Sequence, residues 1–169
     1  MNNLWAPWRM EYITGATKGE TGCFLCIEGK EREDEARLVL HRGRHAFVVM
    51  NRYPYTNGHL MVAPLRHTSD LDALDDPTML ELFHLVRHSK RVIDQALSPA
   101  GYNIGINLGR VAGAGLETHL HIHIVPRWNG DTNFMTVLAE TRVISEHLQD
   151  TYRKLHLLFR EIDAENANV

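Results

Sequence analysis

Apolar residues recur along this chain with two different periods, and each change of period marks an element. Short apolar runs come first: Leu38-Val39-Leu40-His41, Ala46-Phe47-Val48-Val49-Met50, and His59-Leu60-Met61-Val62-Ala63-Pro64. Their length and β-branched content predict strands. The turn from Asn51 to Gly58, with Pro54 and an Asn-Gly pair, separates the last two. A helical period follows, with Met79, Leu82, Phe83, Val86, Ile93 and Leu97 predicted to face the core. Asp75 or Asp76 can cap that helix, Pro77 suits its first turn, and Pro99 ends it. Two further strands are predicted over Tyr102–Asn107 and His119–Val125, flanking the glycine-rich loop Gly109-Arg110-Val111-Ala112-Gly113-Ala114-Gly115. A last helix is predicted over about residues 143–162, with Leu148, Tyr152, Leu155, Leu158 and Phe159 on one side. Strands joined by short turns, with helices in separate blocks, predict an α+β domain built on an antiparallel sheet. There is no internal repeat and no linker, so residues 1–169 read as one domain. About residues 1–36 form an irregular opening, whose charged run from Glu28 to Glu35 predicts a solvated loop or short helix.

Composition narrows the function. A chain of 169 residues, 44% hydrophobic, suits one compact core. A net charge of -3 argues against general nucleic-acid binding. No apolar run reaches the ~18 residues of a membrane span. The start, Met-Asn-Asn-Leu-Trp-Ala-Pro-Trp-Arg, lacks the apolar core of a signal peptide, so a cytoplasmic location is expected. Among 11 histidines, His84 and His88 are expected to be solvated on the long helix. Cys23 and Cys26, spaced C-x-x-C, are too few for a disulfide framework. They leave a redox pair, half of a zinc site, or two unpaired buried thiols.

The last predicted strand alternates strictly. Leu120, Ile122 and Ile124 point one way, while His119, His121 and His123 point the other, about 7 Å apart on an expected exposed face. An ordinary half-exposed strand shows Thr, Lys, Glu or Arg there. Two chemistries fit three aligned imidazoles: a shared metal, or nucleophilic attack by a neutral ring. The adjacent glycine loop favours phosphorus chemistry, because small residues let backbone amides approach anionic oxygens. A catalytic metal would want carboxylates beside the cluster, where Ile124 and Val125 stand instead.

The run His-φ-His-φ-His-φ-φ, φ being apolar, is the signature of the histidine-triad (HIT) superfamily, which the chain resembles from about Leu4 to Phe134. Leu4-Trp5-Ala6-Pro7-Trp8-Arg9, Tyr53-Pro54-Tyr55, Gly58-His59-Leu60-Met61-Val62, Asn103-Ile104-Gly105, Asn107-Leu108-Gly109, Val125-Pro126-Arg127-Trp128 and Gly130-Asp131 narrow the likeness. They make the chain similar to a bacterial branch that includes diadenosine tetraphosphate phosphorylases and is akin to the fragile-histidine-triad group.

The resemblance implies a HIT-like fold, a five-stranded antiparallel sheet with a long helix and a C-terminal helix. It also implies an enzyme that splits dinucleoside polyphosphates, usually as a homodimer. His121 would attack the α-phosphorus and carry the nucleotidyl group, and His123 would hold the phosphate or leaving group. His59 would line the pocket or support it, and Asn51 would contact the ribose. Asn107 and Gly113, Ala114 and Gly115 would hold phosphate oxygens. The superfamily pattern of C-x-x-C, a histidine after the third strand and the first triad histidine implies a structural zinc on Cys23, Cys26, His67 and His119. One departure stands out: many hydrolase members carry Gln where this chain has Gly115. That favours phosphate as acceptor. A phosphoramidate or nucleotide hydrolase using water, and a low-turnover nucleotide sensor, are the alternatives.

Overall fold

The computed structural model describes residues 22–131 and 146–167. Trp5, Trp8, Phe134 and the predicted helical start at residues 143–145 lie outside that range.

Five strands form one antiparallel sheet in the order β1-β2-β3-β5-β4: β1 Val39–Arg42, β2 Ala46–Met50, β3 Leu60–Pro64, β4 Gly101–Ile106 and β5 Ile122–Arg127. Among the described residues, three α-helices accompany it: α1 Asp34–Arg37, α2 Asp76–Leu97 and α3 Leu148–Ala167. The HIT-like α+β architecture expected from the resemblance is therefore the one observed. The charged run resolves into a short 3-10 turn over Glu31–Glu33 followed by α1. Leu38, predicted as the first strand residue, ends α1 instead. It adopts φ 62°, and its amide reaches the Asp34 and Glu35 carbonyls. A left-handed leucine costs about 1 kcal/mol, offset here by a side chain only 2% exposed.

The central strands β2 and β3 are buried along their whole length. Both sheet faces are therefore covered at the centre, which explains their continuous rather than alternating apolar runs. α2 begins as its sequence dictates: the Asp75 side chain accepts the Thr78 amide, and Pro77 sits in the first turn. Its buried side is Leu82, Leu85, Val86, Val92 and Ile93. Phe83, expected in the core, is 57% exposed. It lies one residue past Leu82, about 100° round the helix and off the buried stripe. His88, expected in solvent, is half-buried against His41, Phe159 and Asp163. α3 carries Tyr152, Leu155 and Phe159 into the core and runs five residues beyond the predicted end. Its first turn is tied to the β2–β3 turn, where Thr151 and Glu146 meet Asn57. Among the described residues, no helix is long and apolar enough to cross a membrane.

Candidate functional site

β5 puts His123 at the sheet centre, opposite Met61 of β3 and Gly105 of β4. His121 and His119 precede the first ladder residue, Ile122, so they are held by other bonds. The Leu120 amide donates to the Thr68 carbonyl at 2.7 Å. His119 and His121 are 0% and 6% exposed, not on the exposed face expected. Strand alternation gives the common direction of the three rings, but not what covers them. The β2–β3 turn and the cysteine segment do that.

Hydrogen bonds fix the tautomers of these rings. A carbonyl oxygen only accepts. His121 Nδ1 lies 2.8 Å from the His119 carbonyl, so Nδ1 carries the hydrogen, and in the neutral ring the lone pair is on Nε2. His119 Nε2 lies 2.8 Å from the Pro64 carbonyl, so it donates, leaving the Nδ1 lone pair for the cysteines. The Tyr55 amide donates to His59 Nδ1 at 3.1 Å. His59 must therefore donate from Nε2 to His123 Nδ1, 3.0 Å away. That leaves the His123 hydrogen on Nε2. Burial, with the nearby charge of His121, pushes His123 down to about 4, so it stays neutral at physiological pH.

Tyr55 joins this cluster without a role expected from the sequence. Its ring lies 4.7 Å from His59 and 6.0 Å from His123, beside the amide that fixes the His59 tautomer. The signal is a Tyr-Pro-Tyr turn some sixty residues before the triad, a separation that says nothing of contact. His59 is 0% exposed, and the His121 and His123 rings meet edge-on at 4.7 Å. Four predicted residues thus sit close together: His59 with His123 and His121, and His119 behind them.

The predicted nucleotide residues fall in two loops. Asn51 directly follows β2, and its side-chain oxygen accepts the Tyr53 amide at 2.9 Å, leaving its amide nitrogen for a ligand. Asn107 sits where β4 runs into the glycine loop, and its side chain donates to the Gly113 carbonyl at 3.5 Å. Gly109 and Gly113 take φ 79° and 90°, values that side chains disfavour, so the tight loop needs glycine there. The Gly113 and Ala114 amides turn inward to the Arg110 and Gly109 carbonyls. Ala114 is 8% exposed, and Gly113 and Gly115 face solvent. The loop is thus a preformed small-residue rim between β4 and the histidines.

Cys23, Cys26, His67 and His119 converge with their ligand atoms all within 4.8 Å of one another. The Cys23–His119, Cys26–His67 and Cys26–His119 separations are 3.4, 3.2 and 4.0 Å. Adjacent ligands in a tetrahedral zinc site stand about 3.6 Å apart, given bonds of about 2.0–2.3 Å. The donor set therefore fits a tetrahedral ion with no open position. The Pro64 carbonyl orients His119 as outer partners of metal-bound histidines do. Burial pushes the Cys23 thiol up, so a bound metal has to displace its proton.

A family model described as "HIT domain" matches residues 31–130. The chain is 40% identical over 161 residues to the "AP-4-A phosphorylase" of Mycobacterium tuberculosis, covering 92% of this chain and 83% of that protein. It is 34% identical over 93 residues to the "Bis(5'-nucleosyl)-tetraphosphatase [asymmetrical]" of Schizosaccharomyces pombe, 55% of this chain and 50% of that one. Among solved structures, a zinc-bound histidine triad family protein of Mycobacterium smegmatis superposes with a TM-score of 0.61 at 26% identity, covering 76% of this chain and 87% of that chain.

Proposed function

The chain belongs to the HIT domain family, and from that membership we propose that it is an enzyme splitting dinucleoside polyphosphates such as diadenosine tetraphosphate, through a nucleotide bound covalently to His121. The observation that carries the reading is the His121–His119 carbonyl bond. It commits Nδ1 to donating and points the nucleophilic lone pair of Nε2 away from the backbone.

In this reading His121 Nε2 attacks the α-phosphorus, and the bond to the leaving nucleotide oxygen breaks. His123, neutral with its hydrogen on Nε2, donates to that oxygen or to the phosphate. His59 holds the His123 ring in that tautomer. Asn51 contacts the ribose, and Asn107 with Gly113, Ala114 and Gly115 lines the phosphate path. Inorganic phosphate then takes the nucleotidyl group from His121 and restores the ring. The name of the 40%-identical relative and Gly115 in place of a glutamine support phosphate as acceptor. The tetraphosphatase name of the yeast relative favours a second reading, with water as acceptor on the same scaffold.

Zinc on Cys23, Cys26, His67 and His119 is structural in this reading and joins no chemical step. The donor geometry and the zinc-bound structural neighbour support it. We assign the whole of residues 1–169 to one domain, working in the cytoplasm as a homodimer. The exposed side chain of Ile104 on edge strand β4 supports the pairing.

The test is product analysis with diadenosine tetraphosphate, with and without inorganic phosphate. ADP and ATP only when phosphate is present supports a phosphorylase. AMP and ATP regardless of phosphate makes the protein a hydrolase. His121→Ala should lose turnover while keeping nucleotide affinity, and a variant retaining more than a few per cent of turnover refutes the covalent route.

A further inference from the structure

We infer that Cys23 and Cys26 form an oxidative modification site, at which a peroxide closes the pair into a disulfide, expels the metal and slackens the segment that holds His121. The inference rests on the zinc and catalytic readings above.

Three observations carry it. The first is placement of the thiols. The Cys26 amide donates to the Cys23 carbonyl at 3.1 Å, which folds the C-x-x-C segment into one turn and brings its sulfurs within 4.8 Å of each other. A sulfenic acid formed on either one has its resolving partner beside it.

The second is access. Cys23 and Cys26 are only half-buried, His67 is exposed, and Phe24 between the cysteines is 47% exposed. A small peroxide therefore reaches the sulfur edge of the cluster without the domain opening. The histidine edge, His119, is sealed at 0% exposure.

The third is connection. His119 is the one ligand shared with the triad. Its Nδ1 faces both sulfurs, and its own carbonyl accepts the hydrogen that sets the His121 tautomer. The same short segment is pinned by the Pro64 and Thr68 carbonyls, which remain when the cysteines let go. Loss of the sulfur contacts therefore shifts the nucleophile rather than unfolding the domain.

The step balances. A thiolate held deprotonated by the metal attacks one peroxide oxygen, the O–O bond breaks, and sulfenic acid and hydroxide form. The second thiolate attacks the sulfenic sulfur, an S–S bond forms, and the hydroxyl leaves. Two electrons pass from the sulfurs to the peroxide, two protons from solvent complete two waters, and the zinc ion departs because a disulfide is a poor ligand. A thiol reductant with zinc reverses the change.

The experiment uses full-length, zinc-loaded protein titrated with hydrogen peroxide. Zinc release is read with a chromogenic chelator, the disulfide by alkylation and peptide mass, and turnover with diadenosine tetraphosphate and phosphate. Zinc release, closure of the Cys23–Cys26 pair and a fall in turnover of about tenfold or more should share one time course. A thiol reductant plus zinc should restore all three. Cys23→Ser has no pair to close, and should keep under peroxide whatever turnover it starts with.

Turnover lost while zinc and both thiols stay intact places the damage elsewhere and overturns the inference. Turnover unchanged after the disulfide has formed and the zinc has left overturns the coupling to His121. A fresh preparation without zinc refutes the metal reading, and a zinc-loaded one without turnover refutes the catalytic reading. Each of those takes the inference with it, and each shows before peroxide is added.

Discussion

Replacing His59 with Phe tests whether the four-histidine network acts as one device. The ring is 0% exposed, and Phe fills a similar volume, so packing is largely kept. Two hydrogen bonds are lost: the Tyr55 amide to Nδ1 at 3.1 Å, and Nε2–H to His123 at 3.0 Å. Losing partners for buried polar groups costs about 1–3 kcal/mol each. The exposed Tyr55 recovers part of that from water, so stability should fall by about 1–3 kcal/mol. The effect on turnover is separate. General acid help is worth about 10²–10⁴-fold, and here the acid survives but loses the donor that fixes its ring. A fall in kcat of about 10–100-fold follows, equal to about 1.4–2.7 kcal/mol. KM should barely move, because His59 is placed behind His123 and not against the ligand. Steady-state kinetics with diadenosine tetraphosphate and phosphate, beside a thermal melt, reads both. His59→Asn, which can still donate and accept, should recover part of the kcat. A His59→Phe protein that melts lower yet keeps kcat within about twofold would refute the argument that His59 sets the His123 tautomer.

Three further outcomes follow from the same geometry. Cys23→Ser should lower metal content well below one zinc per chain and reduce the melting temperature, and a full complement of zinc in that variant would sink the ligand assignment. His123 and His88 are both held below the ordinary histidine value, chiefly by burial. The unfolded chain therefore takes up protons first as pH falls. Stability should be flat above about pH 6.5 and decline from there toward pH 4, and a denaturant midpoint unchanged between pH 7 and pH 4.5 would contradict this. Phe159→Ala, at a ring 0% exposed, should cost about 3–5 kcal/mol, and a loss under about 1 kcal/mol by chemical denaturation would show that α3 is not part of the core.

Local chemistry made much of this fold readable. Asp75, Pro77 and the apolar period fix where α2 starts and which side it buries, and five apolar runs become five strands. The errors share a cause. Leu38 continues an apolar run, yet it caps α1, because the conformation of one residue depends on the helix before it. Phe83 matches a helical count, but the sheet reaches only the stripe through Leu82, Leu85 and Val86. His88 looks like a surface residue until α3, some seventy positions later, lays Phe159 and Asp163 against it. The triad shows the same division. Alternation gave three imidazoles one direction, while their burial and tautomers depend on Tyr55, Pro64 and Cys23, which no period links to them. The convergence of Cys23 and Cys26 with His67 and His119 was readable only through the family resemblance.

The position of α3 has a consequence for how the chain comes off the ribosome. Tyr152 donates to the carbonyl of Val39 across a separation of 113 residues, and Phe159 and Leu155 complete the same core. At about 5–20 residues per second, β1 emerges some 6–23 s before the helix that covers it. For that interval β1 and the buried stripe of α2 are apolar surfaces without their lid. Closure of this core therefore waits on the synthesis of α3, and until that helix has emerged the nascent chain carries exposed apolar surface that is open to aggregation.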